Sequence, residues 1–424
     1  MSYSAIGLQS PIGLQDTRNV LINGEFNLWQ RGITSSIGFT GGGNIQNQYC
    51  ADRWRYYAQT SSTGNGSTAP DVQISRVNFG LGEPSGAVNS SKYYLNIFFG
   101  HTADLTGTPF TAPENAEPHG GFSGGTGEGN FLALVQDIED VNTLAGKSAI
   151  LSFWAKSDFA SQVIIPRLKQ YFGKDASIGS NSVNYIGTTG ARHTIDNTWR
   201  QYKTEFNISG VNGKVLGTSG DHALQLSLLF HRCRGHGLGG GFAGTTMELG
   251  NGTGLTGNIS IAQVQLEQGT NATEFDTKHP SVEIAQCKRY YDKSYDLDVT
   301  PGAFVASYTT DAVDADGGGW ITIHFGNAEN GHLFGKQTEF AVPMRSRPTC
   351  TIYHPFDNNK SGYFAHSNAN GGGGAGGGGS EVGTVETSQK GIEKIEALTF
   401  APTANMCWYH YTADAELNVE TADS

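Results

Sequence analysis

Three clusters match motifs for catalysis, phosphate binding or metal binding. Gly121-Phe122-Ser123-Gly124-Gly125 fits G-x-S-x-G, the elbow that holds a nucleophilic serine on a strained turn between a strand and a helix. It sits inside PHGGFSGGTGEGNF, a glycine loop that offers neither element. Gly235, Gly237 and Gly240, and again Gly239, Gly241 and Gly244, fit G-x-G-x-x-G. A strand precedes them but no helix follows, so no helix N-terminus awaits a pyrophosphate. His231, Cys233 and His236 make an H-x-C-x-x-H cluster. Zinc takes four protein ligands, or three and a water, and no fourth ligand stands at a recognisable spacing. Asp and Glu total 39, but spacing along a chain does not reveal two carboxylates facing across a glycosidic bond. The expectation is a protein with no catalytic residues, not an enzyme, and without a cofactor.

Ring faces are the second chemical resource. An aromatic ring packs on the apolar face of a sugar, and asparagine amides both donate to and accept from its hydroxyls. Tyr363, Phe364, His366 and Asn368 fall within residues 360–383, where glycines let the backbone approach a saccharide closely. This stretch is the expected receptor-contacting end. Trp54 and Tyr56 are further candidates, followed by Tyr57, Trp154, Tyr171, Phe172, Trp408 and Tyr409. The competing reading is plain: most aromatics in a β-sandwich are core, and 360–383 is an unligated loop.

Composition sets the frame for these residues. The chain has 424 residues, 59 of them glycine, with 16% charged and 11% aromatic. Much glycine, few charges and many aromatics point to short strands joined by long loops. The net charge of −12 and the lack of any basic run argue against nucleic acid and anionic membranes as partners. No apolar run nears the ~20 residues of a membrane span, and the first residues have no apolar signal core. The expectation is a soluble chain without a conventional export signal. Cys50, Cys233, Cys287, Cys350 and Cys407 are widely spaced and odd in number, which suits free, mostly buried thiols.

Residues 1–18 have no periodicity and read as an anchoring arm. From Asn19 the pattern is β. TWRQYKTEFNIS alternates Tyr202, Thr204, Phe206 and Ile208 against polar residues. HALQLSLLF alternates Leu224, Leu226, Leu228 and Phe230 against Gln225, Ser227 and Leu229. NISIAQVQLEQG opposes Ile259, Ile261, Gln263 and Gln265 to Ser260, Ala262, Val264 and Leu266. Period two predicts antiparallel sheets with one face on a core. HPSVEIAQCKRYYDKS predicts one helix, with Pro280 in its first turn beside Glu283 and Lys288 and Arg289 near its end. The pattern restarts after Tyr295. The expected fold is all-β: two jelly-roll-like β-sandwich domains, 19–277 and 297–424, joined by a linker helix over 278–296. A polyglycine loop over 368–383 interrupts the second.

Particular phrases carry a resemblance. NVLINGEFNLWQRG followed by YCADRWRYY resembles the start of bacteriophage and prophage tail fibre-type proteins. LSFWAKS, TWRQYKTEFNI and AQVQLEQGTNATEFD resemble successive strands of a carbohydrate-binding-module-like jelly-roll, and EIAQCKRYYDKSY the helix after it. FAVPMRSRPTCTIY and WYHYTADAEL resemble the C-terminal sandwich of that group. The resemblance implies that Asn23-Gly24 make a turn, Phe26 and Trp29 pack the sandwich edge, and Arg31 lies near Asp52 or Trp54. The related jelly-roll often holds a structural calcium, for which Glu25 and Asp276 are the nearest candidates. It further implies a virion protein made in the bacterial host cytoplasm, a tail fibre or tail-tip homotrimer that binds a host cell-surface glycan. The arm would join it to other phage tail proteins. A capsid fibre or head decoration is the alternative, and a glycan depolymerase the second.

Overall fold

The structure is a computed structural model. It describes residues 18–37, 45–59, 71–80, 91–100, 131–159, 162–174, 176, 183–186, 192–231, 257–303, 321–324, 332–333, 338–355, 357, 360–366, 379–398 and 406–417. The arm expected at 1–18, apart from Arg18, lies outside the described residues, as do the serine elbow at 121–125, Cys233, His236 and Asn368.

The chain is all-β of jelly-roll type, and every strand pairing among the described residues is antiparallel. Two sheets enclose the first core. One runs Thr34–Ile37, Asp71–Asn78, Tyr93–Gly100, Gly257–Gln268, Ser148–Ser157, Arg200–Asn207. The other runs His193–Ile195, Gln162–Tyr171, Ala223–His231, Phe131–Glu139, Arg55–Gln59, Ile45–Tyr49, with Val183–Ile186 beside Gln162–Tyr171. Period two does what it promised in Arg200–Asn207: Thr204 and Phe206 are buried while Lys203 and Glu205 are exposed. Burial of Trp29, Trp54, Phe153, Phe206 and Phe230 in one cluster supplies the main drive to fold.

Gly257–Gln268 corrects its predicted alternation. Ile259 and Ile261 face the core, but so do Val264 and Leu266, while Ala262 faces outward. A β-bulge between Ala262 and Gln265, with Gln263 at φ 50°, adds one residue and reverses the facing. The opening stretch plugs into this bulge. Val264 N–H donates to Gly24 O, and Asn19 Nδ2 donates to Val264 O. Asn23, at φ 57°, donates through Nδ2 to Leu28 O and Asp52 O and accepts Leu28 N–H. Phe26 and Trp29 are fully buried, with Trp29 Nε1 donating to Phe26 O.

The helix spans Pro280–Lys288, capped by His279 Nδ1, which accepts from Ser281 N–H. The expected linker does not continue to 296. Tyr291–Lys293 is already a strand of the second unit, paired with Met406–Asp414. That unit is one nine-stranded sheet rather than two separate ones. Met406–Asp414 joins its layers, pairing with Ile321–His324 and Tyr363–His366 at one end and with Tyr291–Lys293 and Thr349–Tyr353 at the other. Phe364, Ile392, Ile395, Tyr409 and Tyr411 share the enclosed core. The glycine stretch also ends earlier than expected, because Gly379–Thr387 is a strand between Tyr363–His366 and Gly391–Ala397.

The two units meet through buried ions. Arg53 pairs with Glu416 Oε2, its guanidinium 3.5 Å from the Tyr290 ring centroid. Arg31 reaches Asp414 at 3.0 Å and Glu416 at 3.4 Å and lies 3.6 Å over the Tyr291 ring. Its contacts therefore extend beyond the expected Asp52 neighbourhood to the terminal strand. Burial, the largest single cause, lowers both guanidinium pKa values, but Glu416 together with Asp414, Tyr291 and Asp52 around Arg31, and with Tyr290, Tyr49 and Asp137 around Arg53, outweighs it and both are raised. Lys293 Nζ donates to the carbonyls of Gln30, Leu297 and Val299. Burial pushes its pKa down to about 8, yet three acceptors match the three N–H bonds of an ammonium, so it is charged at neutral pH.

Candidate functional site

The sequence-predicted ring faces divide. Trp54 and Tyr56 are 0% exposed in the first core, with Trp54 Nε1 donating to Asn23 O and Tyr56 OH to Gln48 Oε1. Phe364 is 0% exposed in the second core. These three are packing residues, because a buried ring offers no face to a saccharide. Tyr363 is half-buried with the Lys360 ammonium 4.6 Å from its ring centroid. His366 pairs with Cys407 in the sheet, and its side chain lies outside the described residues. The structure therefore does not bring the predicted four together as one described site.

The outer faces of the two first-core sheets differ sharply. On the seven-stranded sheet, Tyr57, Ala133, Val135, Val163, Ile165 and Leu229 are buried. Beside them Asp137 accepts from Arg55 Nη2 at 2.9 Å and from Gln225 Nε2 at 2.6 Å, also buried. That face is covered.

The outer face of the six-stranded sheet carries a two-row platform. Ser148–Ser157 and Gly257–Gln268 place Trp154 opposite Ala262 and Lys156 opposite Ser260, and Ser260 is opposite Asn96. Tyr94 is two residues from Asn96 and so shares its face. One row is aromatic. Phe79, Tyr94 and Trp199 meet with centroids 4.8–5.5 Å apart, and Trp154 packs against the same cluster. The parallel row is polar. Ser260 Oγ donates to Asn96 Oδ1, Asn96 Nδ2 to Asn258 Oδ1, and Asn258 Nδ2 to Asp158 Oδ2. Lys156 Nζ lies 5.4 Å from the Trp199 ring centroid. Phe79, Trp154 and Trp199 are half-buried, so part of each side chain remains open. Trp199 Nε1 has no hydrogen-bond acceptor among the described residues. Half-exposed Phe79, Trp154 and Trp199 beside the fixed amides of Asn96 and Asn258 suit a ligand that is apolar on one side and hydroxylated at its edges. The signal was present in LSFWAKS, where Trp154 shares the polar side with Ser152 and Lys156.

The two calcium candidates each have protein hydrogen-bond partners. Glu25 accepts from Asn27 Nδ2 at 2.8 Å and Ser91 Oγ at 3.1 Å. Asp276 Oδ2 accepts Asn19 N–H instead. Among the described residues no three His, Cys, Asp or Glu side chains group as metal ligands. Burial raises the pKa of both the Glu25 and Glu283 carboxyls, and the Glu25 charge adds to the rise at Glu283. Cys50, Cys287 and Cys407 are buried free thiols and Cys350 is half-buried. No helix among the described residues is long and apolar enough to cross a membrane.

No family model matches the chain, and no curated protein matches it. Solved structures do. An enzymatically active domain of tailspike protein 4 of bacteriophage CBA120 aligns at 10% identity and TM-score 0.25 over 59% of this chain and 22% of that one. The chain thus spans about a fifth of that tailspike structure. The CBM22-2 xylan-binding domain from Paenibacillus barcinonensis aligns at 13% identity and TM-score 0.25, over 51% of this chain and 92% of that one. A family 11 carbohydrate-binding module from Clostridium thermocellum aligns at 12% identity and TM-score 0.23, over 55% of this chain and 99% of that one. Scores this low identify neither a ligand nor a role.

Proposed function

We propose that the protein is a non-catalytic phage virion component, a tail fibre or tail-tip protein that binds a host cell-surface glycan. The observation that carries glycan binding is the platform of half-buried Trp154, Trp199 and Phe79 beside the Asn96 and Asn258 amides. The phage setting rests on the sequence resemblance, whose opening phrase forms the buried joint between the two units. The arm would dock to other tail proteins, and three chains would associate, since long glycine-rich connections are costly to order without neighbours. Immunogold labelling of particles tests the placement: label at the tail supports it, and label on the head moves the protein to a capsid fibre or decoration. Sedimentation of the full chain should give a trimer, and a monomer would remove that part. Release of reducing ends from host polysaccharide would favour the depolymerase.

A further inference from the structure

A pocket of about 580 Å³ opens beside the joint between the two units. It lies on the outer side of the three-strand layer Tyr291–Lys293, Met406–Asp414 and Thr349–Tyr353. There Tyr291 faces Asp414 and Thr349 faces Asp414, while Thr351 faces Thr412. Ile352 and Tyr411, which alternate with these residues, point into the second core. The floor is therefore a lattice of hydroxyls, and its volume suits one or two sugar rings.

The charges around the floor are unevenly spent. Arg31 is engaged by Asp414 and Glu416, and both Glu416 oxygens are taken by Arg31 and Arg53. Arg347 differs. Its Nε makes a long 3.4 Å contact to Thr387 Oγ1, and no carboxylate lies within ion-pair distance among the described residues. The hydroxyls of Thr349, Thr351 and Thr412 likewise make no hydrogen bond with another described residue. Tyr353 forms one side, edge-on to Tyr295, which stacks on buried His410 at 4.0 Å. The wall is thus braced from behind. An unpaired guanidinium fork recognises a planar carboxylate through two parallel N–H···O bonds. Free threonine hydroxyls exchange hydrogen bonds with ring hydroxyls in either direction.

We propose that this pocket binds an acidic sugar unit, with its carboxylate on Arg347 and its hydroxyls on Thr349, Thr351 and Thr412. The site is separate from the aromatic platform and does not depend on it. On a chain of net charge −12, Arg347, with no carboxylate within ion-pair distance among the described residues, selects a carboxylate locally against the repulsion of the whole surface.

The test is isothermal titration of the full-length protein with glucuronate, galacturonate and N-acetylneuraminate, with glucose, galactose and sulfate as controls. Saturable binding of at least one acidic sugar is expected, with glucose and galactose at least about tenfold weaker. Arg347→Ala should weaken it about 10- to 100-fold, the loss expected for a charge-assisted pair. Thr351→Val, which keeps the side-chain shape, should weaken it severalfold and reads the site independently if Arg347→Ala melts early. Lys214→Ala, an exposed residue of neither site, should leave it unchanged. The proposal is overturned if no acidic sugar binds, if sulfate binds as tightly, or if a well-folded Arg347→Ala variant binds like wild type. Loss of acidic-sugar binding in Trp154→Ala would also overturn it by moving the site to the platform.

Discussion

Asn23 and Gly24 show how much a two-residue phrase can hold. A Cβ on Gly24 would sit 2.3 Å from Val264 O, a backbone atom pinned by the bulge. Gly24→Ala must therefore displace the N-terminal segment or the bulge. It is expected to cost about 1–3 kcal/mol, read as a lowered urea midpoint with unchanged m-value. Glu25 and Glu283 make a second prediction at this scale. Burial is the largest cause raising both pKa values, and for Glu283 the Glu25 charge adds to it. A carboxyl whose folded pKa is raised contributes stability that is fully present below its unfolded value and lost as pH rises through its folded value. The folded state then holds more protons than the unfolded state, so stability falls with rising pH in that window. Glu25→Gln should flatten the stability profile above about pH 4.5 relative to wild type and cost little at pH 7. An unchanged profile would show that Glu25 ionises in the fold as freely as in the unfolded chain.

At the scale of elements, alternation was legible where one face meets water and the other a core, as in Arg200–Asn207. It was not enough in Ala223–His231, where Gln225, Ser227 and Leu229 on the second face are also buried. Period two reports side, not cover. In Gly257–Gln268 the change from Ile-Ile on one parity to Val-Leu on the other was written in the sequence, and a bulge is its physical meaning. The candidate site was less legible, because ring identity says nothing about exposure. Trp54, Tyr56 and Phe364 are core, whereas Trp154 stands out only because it shares parity with Ser152 and Lys156. The joint was hidden for another reason. Arg31 and Arg53 are more than 360 residues from Glu416, and only the fold brings them together. Removing one partner strands a buried charge. Glu416→Leu should cost about 3–5 kcal/mol, while Arg53→Met combined with Glu416→Leu should cost less than the sum of the single changes. Strict additivity in chemical denaturation would show that the pair does not interact.

For the whole molecule, the joint makes the two units one body. Arg289 and Tyr290 reach Glu139, Arg345 Nη1 reaches Gly220 O, and Tyr49 OH reaches Leu417 O. A platform on one unit and a hydroxyl-lined pocket near the joint are therefore held at fixed separation, which suits a protein that meets a patterned surface. The central claim is that glycan binding resides on the exposed side of the six-stranded sheet. Its most direct test is glycan-array binding by purified wild type and a Trp154→Ala/Trp199→Ala variant, both checked for unchanged melting. The account predicts binding of wild type to a restricted set of glycans and loss of about tenfold or more of that affinity in the variant. Retention of full binding by the folded variant would contradict it.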